Sequence, residues 1–193
     1  THVHERRPWR AVAVPSEHGG WSLTLEPALL GLLVAPSRAG VAIATAALTA
    51  FVVRTPLRLV AVDAWRHRWL VRTRLAAQVA AVELVILAVL TVVAGQLAGW
   101  SWLVAAAIAA PLIVVELWFD MRSRSRRLAP ELCGAVGMGA VAAAIAIAGG
   151  ESSRLASALW LVIAARAVTS IPFVRVQIAR LRHGTGSVVT SDG

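Results

Sequence analysis

The sequence predicts an all-α fold, a polytopic transmembrane helical bundle of about six helices. Of its 193 residues, 58% are hydrophobic and only 15% are charged, and the mean hydropathy is +0.72, which is too apolar for a soluble domain of this length. Apolar segments recur between short charged interruptions, and roughly 20 predominantly apolar residues suffice for one helical crossing. The predicted helices lie near residues 21–36, 39–62, 74–95, 99–119, 128–149 and 154–180.

The predicted helices differ in how clearly they are marked. Helix one is short and contains Pro27, so we expect it to be re-entrant or to continue from the segment before it. Helix two runs into an arginine-bearing stretch and should extend past the bilayer. Helix three is the clearest, because residues 75–94 are interrupted only by Gln78 and Glu83. Helix four is the run that ends in ELWF before Asp120. Helix five is rich in small residues, which lets neighbouring helices approach closely, and helix six leads into a basic stretch.

The charges indicate an orientation. The net charge is +9, and all 19 basic residues are arginine. A basic nucleic-acid-binding surface is excluded, because 16 of these arginines lie before helix one, between helices two and three or four and five, or after helix six. By the positive-inside rule these segments and both termini should be cytoplasmic. The predicted organisation is a cytoplasmic N-terminal segment at 1–20, a transmembrane helical domain at 21–182 and a polar tail at 183–193.

Six ionisable side chains fall at membrane depth, where a charge costs roughly 2.5–3.5 kcal/mol on insertion scales. They are Glu26, Glu83, Glu116, Asp120, Glu131 and Arg166. Two interpretations stay open. The acids could pair internally, for example Glu83 or Glu116 with Arg166, and hold the helices in register. Alternatively, the set could line a polar cavity inside the bundle.

The most distinctive local motif is PSEHGGW, residues 15–21, which opens helix one. Glu17 and His18 place an acid and a base close to the membrane, next to two glycines that permit tight backbone geometry. The motif is consistent with a ligand-binding or proton-handling loop, or with a helix start capped by Ser16 or Glu17. A haem or metal site at His18 is disfavoured because no second histidine lies at a matching depth in another helix. The sequence therefore predicts no metal site.

Two short strings at the ends of helices two and six are partly alike: RTPLRLV at 54–60 and SIPFVRV at 170–176. Each contains a proline, an apolar residue and then an arginine, which suggests that Arg54, Arg58 and Arg175 gather at one mouth of the bundle. Forked arginine hydrogen bonds could hold a phosphate or diphosphate there. The alternative is that these are ordinary positive-inside arginines beside prolines that end helices.

Longer stretches resemble a known family. PSEHGGWSLTLEPALLG, RTPLRL, ELWFDMRSRSRRLAPELCGA and RAVTSIPFVRVQIARLR resemble the YwiC-like membrane proteins of bacteria, over residues 15–182. The resemblance implies a multi-pass protein of the bacterial cytoplasmic (inner) membrane. Members of that family look somewhat longer, which implies further helices beyond Gly193.

The layout is also similar to the UbiA-type prenyltransferases, helical membrane enzymes that transfer polyprenyl groups from diphosphates. In that superfamily, acidic motifs after helices two and six bind the diphosphate through magnesium. The matching places here hold RTPLRLVAVD and SIPFVRVQIAR, in which Asp63 is the one acid. The resemblance therefore implies a UbiA-like arrangement in which arginines contact the anion directly, and argues against metal-dependent prenyl transfer.

Two functional hypotheses follow. The first is a cytoplasm-facing polar cavity, surrounded by membrane lipids, that binds or transforms a prenyl-diphosphate-like (isoprenoid) or other anionic lipid-soluble molecule. Its expected binding residues are His18, Glu26, Arg54, Arg58, Glu116 and Arg175, and its catalytic candidates are Asp63 and Asp120. The second is a non-enzymatic accessory subunit or small transporter, in which Glu83, Glu116 and Arg166 form a connected path. The sequence identifies neither a cofactor nor a protein partner.

Overall fold

The structure, a computed structural model, describes residues 18–121 and 128–185. Within these ranges the chain forms six α-helices and no strand, which confirms the predicted all-α bundle. The helices are α1 His18–Val34, α2 Arg38–Trp65, α3 Val71–Ala98, α4 Leu103–Met121, α5 Leu128–Ala148 and α6 Ser153–Thr185. The first three residues of the PSEHGGW motif, the loop 122–127 and the tail 186–193 lie outside the described residues.

Five of the described helices are long and apolar enough to cross a membrane. They are α2, α3, α5, Leu103–Asp120 of α4 and Ser153–Leu181 of α6. The apolar part of α1, Trp21–Val34, is shorter than these, as expected of the segment that contains Pro27. The chain is therefore a multi-pass membrane protein.

Local chemistry explains where several helices begin and end. The hydroxyl of Ser37 caps α2 by accepting a hydrogen bond from the Gly40 N–H at 2.9 Å, as short polar side chains do at helix starts. After α5, Gly150 has a φ of 88°, a conformation that glycine adopts without strain. The Glu151 N–H then donates to the Ala146 carbonyl at 3.0 Å, so the chain reverses at once into α6.

Pro56 and Pro172 lie inside helices and do not end them. α2 continues past Pro56 to Trp65, and α6 continues past Pro172 to Thr185. A membrane helix tolerates proline because neighbouring helices and local adjustments satisfy the freed carbonyl. The alternative that prolines end the helices beside these arginines is therefore wrong, and Arg58 and Arg175 project from continuous helices.

The central helix is α5, which contacts α1, α2, α4 and α6. Its buried side is made almost entirely of alanine and glycine, and Ile145 is its one large, fully buried side chain. A methyl group added at Gly31 of α1 or Gly40 of α2 would lie 2.9 Å from Ile145. Small residues therefore bring three helix backbones together around one isoleucine, as is common in membrane bundles.

The remaining helices surround this centre. α3 packs along α2, and most of its apolar surface is exposed. The ends of α2, α4 and α6 lie at the same end of the bundle as the starts of α3 and α5, because ion pairs join α2 to α4 and α5 to α6 there. We call this the Asp120 end.

Candidate functional site

Two arginines of α2 and two carboxylates of α4 meet at the Asp120 end. Arg54 and Arg58 are four residues apart in α2, and Glu116 and Asp120 are four residues apart in α4. Side chains at this spacing lie on one face of a helix. α2 therefore presents two arginines to α4, and α4 presents two carboxylates to α2. We call these four residues the Arg54 cluster.

Arg54 is the centre of the cluster. Its Nε and Nη2 lie 3.2 and 3.1 Å from Oδ2 of Asp120, and its Nη1 donates to Oε1 of Glu116. The side chains of Arg54, Glu116 and Asp120 are 25%, 16% and 5% exposed, so these contacts are shielded. A guanidinium has donors on three nitrogens in one plane, which is how one side chain of α2 contacts both carboxylates of α4.

Arg58 occupies the outer part of the cluster. Its Nη1 lies 3.3 Å from Oδ1 of Asp120, so the two oxygens of this one carboxylate are divided between Arg58 and Arg54. The Arg58 side chain is 41% exposed. The four formal charges balance, but Arg58 shares its carboxylate and is the more accessible of the two arginines.

A glycine of α5 makes room for the cluster. A Cβ at Gly134 would lie 2.5 Å from Cδ and 2.6 Å from Oε2 of Glu116, closer than real Cβ contacts come. The Glu116 carboxylate therefore lies against the α5 backbone, where any side chain would displace it from Arg54. This contact joins α5 to the α2 and α4 pairs.

Arg175 of α6 pairs with a residue of α5 that lies one turn before Gly134. Its Nη1 is 2.6 Å from Oε2 of Glu131, and Glu131 precedes Gly134 by three residues. Both side chains are about two-fifths exposed, at 42% and 40%. The structure thus places Arg175 at the same end of the bundle as the Arg54 cluster, paired with an acid of its own.

Asp63 belongs to a different contact, in the turn between α2 and α3. The Thr73 hydroxyl donates to Oδ2 of Asp63 at 2.6 Å and accepts from the Leu70 N–H at 3.2 Å. Nη2 of Arg72 lies 3.4 Å from Oδ1 of the same carboxylate. Asp63 is buried and joins the two arms of the α2–α3 hairpin.

Glu26 is also separate from the Arg54 cluster. It lies at the midpoint of α1 and accepts from Nη1 of Arg166 on α6. Internal pairing, one of the two interpretations of the ionisable set, thus describes this pair, although the partners differ from those expected. His18 begins α1, but its side chain lies outside the described residues.

Glu83 lies near the middle of α3. Its Oε2 is buried and has no hydrogen-bond partner within residues 18–121 and 128–185. A shallow groove of about 370 Å³ runs beside it, lined by Leu75, Gln78, Val79, Val82 and Glu83. Glu83, Glu116 and Arg166, the path expected of a transporter, lie in three different surroundings in the structure.

Three residues of these contacts, Thr73, Gly134 and Glu131, were not predicted as site residues from the sequence. Thr73 could have been suspected as a hydroxyl in the first turn of α3. Gly134 is hidden in a run of small residues, and Glu131 was noted only as an acid at membrane depth. Among the described residues, no three His, Cys, Asp or Glu side chains group so as to hold a metal ion.

Comparison with known protein families finds a match to this chain. The model of the family described as YwiC-like protein matches residues 14–146, a range that includes all of the Arg54 cluster and Gly134. No curated protein and no solved structure matches the chain. The match covers more than half of the chain and ends within α5, before Arg166 and Arg175.

Proposed function

The chain belongs to the YwiC-like protein family, and from this premise we propose that it binds an anionic, lipid-soluble molecule at the Asp120 end. The ligand class is a phosphorylated lipid such as a prenyl phosphate or diphosphate. The Asp120 end would face the cytoplasm of a bacterial cell, because most of the arginines lie in segments expected there. The described helices would form one transmembrane domain.

The exposure of Arg58 beside a shielded Arg54 is the observation that supports this proposal. Arg54 is committed to two carboxylates of α4, whereas Arg58 contacts one oxygen of Asp120 and is 41% exposed. A guanidinium has five N–H donors, so Arg58 can contact Asp120 and still donate to a phosphate. Charge-assisted hydrogen bonds of this type are the strong ones.

The helices that carry the cluster also carry exposed apolar side chains, which suits a ligand with a hydrocarbon part. Leu57 of α2 is 39% exposed, and Trp118 on another face of α4 is 51% exposed. A phosphate held by Arg58 would leave its apolar chain among such side chains and the surrounding lipid. Arg175 of α6 lies at the same end of the bundle, where it pairs with Glu131. Its guanidinium would be a second positively charged donor for the ligand.

The arrangement supports binding more strongly than group transfer. Both oxygens of Asp120 face arginines, and both oxygens of Asp63 face Thr73 and Arg72. A carboxylate that already accepts strong hydrogen bonds is poorly placed to take a proton from a substrate. We therefore assign Asp120 to holding the arginines and Asp63 to the hairpin.

A binding experiment tests the proposal. The protein is placed in nanodiscs of phosphatidylcholine, and farnesyl phosphate, farnesyl diphosphate and farnesol are titrated. We expect the two phosphorylated compounds to bind and farnesol to bind far more weakly, and we expect Arg58→Gln to weaken their binding by about tenfold, the loss of one charge-assisted contact. Arg38→Gln, at the opposite end of the same helix, is the matched control. Equal binding of farnesol, or an unchanged affinity in Arg58→Gln, would refute the proposal.

A further inference from the structure

A charged pair lies on the outside of the bundle at membrane depth. Glu26 is at the midpoint of α1, and Arg166 of α6 donates to it. Their side chains are 35% and 61% exposed, more than those of Arg54, Glu116 and Asp120 at 25%, 16% and 5%. α1 and α6 contact each other only slightly, so the pair spans a gap between two helices and is not enclosed by them.

The surroundings of this pair are apolar. Leu29, one turn after Glu26, is 56% exposed, and Val162, one turn before Arg166, is 64% exposed. In a bilayer these neighbours face the hydrocarbon of the lipid. The partly exposed charges of Glu26 and Arg166 would then also face hydrocarbon, which is energetically costly. A lipid headgroup does not reach this depth, because the hydrocarbon core is about 30 Å thick. A protein surface over the pair would remove this cost.

We propose that this surface, formed by α1 and α6 around Glu26 and Arg166, is a contact between two copies of this chain. One acid and one base at the same depth form a self-complementary pattern. A two-fold axis along the membrane normal brings Glu26 of each copy to Arg166 of the other, which is the geometry of an isologous dimer. Each arginine then contacts two glutamates, and the four charges are removed from lipid together.

Charge complementarity favours a second copy over a different protein. A partner must carry a base and an acid at the same depth and separation as Arg166 and Glu26. A second copy of the chain carries both residues at this depth and separation. A partner that carried a single charge would leave an excess charge in hydrocarbon. The proposal is independent of ligand binding at the Asp120 end.

The first experiment exchanges the charges between copies. Glu26→Arg gives a chain with two bases on this surface, and Arg166→Glu gives a chain with two acids. We expect each variant alone to associate about tenfold or more weakly than the wild type, because like charges face each other across the axis. Two differently tagged variants expressed together should recover association, measured by co-purification and by photobleaching steps in nanodiscs. The double variant Glu26→Arg with Arg166→Glu should associate like the wild type.

The second experiment keeps the charged pair intact, so it decides the question even if a single charge variant fails to fold. In a chain whose one cysteine is removed by Cys133→Ala, Val162→Cys should form an oxidative cross-link between copies in the membrane. Val85→Cys on the outer side of α3 is the matched control, since Val85 is 63% exposed. A monomeric wild type, equal cross-linking at the two positions, or folded variants that recover no association when mixed would overturn the proposal.

Discussion

Arg54 and Asp120 are joined twice, because Nε and Nη2 of the arginine lie 3.2 and 3.1 Å from the same Oδ2 atom. The third nitrogen, Nη1, contacts Glu116, so one side chain of α2 compensates two carboxylates of α4 where these two helices make a small contact. Removing it would leave Glu116 and Asp120 close together, with Arg58 as their nearest described counter-charge.

We therefore expect Arg54→Ala to destabilise the protein by about 3–5 kcal/mol, the usual cost of breaking a buried ion pair by removing one partner. Arg54→Lys should recover only part of this loss, since an ammonium lacks the planar fork. The measurement is the free energy of unfolding in mixed micelles, with Arg154→Ala, an exposed arginine at the start of α6, as the control. Equal stability of Arg54→Ala and the control would contradict the assignment.

Gly134→Ala should disturb the same contact from the side of α5. The new Cβ would lie 2.5 Å from Cδ of Glu116, so the carboxylate must move away from Arg54. Gly134→Ala should lower the free energy of unfolding, and we expect this loss to be smaller by about 1 kcal/mol or more when Glu116→Ala is also present. The effects of substitutions at two residues in contact do not add.

Gly137→Ala provides the comparison for that double-mutant cycle. Its Cβ would lie 2.7 Å from Ile113. Gly137→Ala should therefore lower the free energy of unfolding by the same amount with and without Glu116→Ala. If the two glycine substitutions respond alike to Glu116→Ala, the contact between Gly134 and the carboxylate is not specific.

Thr73→Val should loosen the turn between α2 and α3. The valine keeps the shape of threonine but loses the hydroxyl that donates to Asp63 and accepts from Leu70. We expect trypsin to cleave after Arg66 and Arg68 several-fold faster in this variant, because buried polar groups lose their partners. Thr73→Ser should restore resistance.

A second threonine of α3 serves as the control for this prediction. The Thr91 hydroxyl donates to the Leu87 carbonyl within its own helix, at 2.8 Å. Thr91→Val should therefore leave cleavage after Arg66 and Arg68 unchanged. Cleavage that rises equally in both variants would mean that the Thr73 hydroxyl does not hold the turn.

Glu131→Gln should change stability far less than Arg54→Ala. Glu131 and Arg175 are both about two-fifths exposed, and exposed ion pairs are worth roughly 0–1 kcal/mol. The measurement is again unfolding in mixed micelles, at low and at high salt. A loss as large as that of Arg54→Ala would show that this pair is more shielded than its exposure indicates.

The helices were predictable from the sequence to within a few residues, since each long apolar segment between charged interruptions became one helix. The predictable part of the site was the position of its residues along the bundle: Arg54, Arg58, Glu116 and Asp120 were expected at one end and lie together there. The ion-pair partners of side chains could not be predicted where they depend on how a helix is rotated about its axis. Arg166 was expected to meet Glu83 or Glu116 and meets Glu26, because periodicity gives depth but not which neighbour a side chain faces.

Asp63 shows the same limit in another form. Its position after Arg58 suggested a common site, but α2 continues past Pro56, and the carboxylate turns toward Thr73 in the following helix. Such a contact depends on how tightly the α2–α3 turn closes. That geometry includes a φ of 50° at His67, a value that residues other than glycine seldom adopt.

The position of Ile145 between Gly31 and Gly40 has a consequence for biosynthesis. α1 and α2 leave the ribosome long before α5 is made, yet the side chain that fills the space between their two glycines belongs to α5. The first two helices must therefore wait in the membrane, incompletely packed, while the roughly 80 residues from the end of α2 at Trp65 to Ile145 are translated. A chain truncated before α5 should therefore be degraded even though its first four helices are complete.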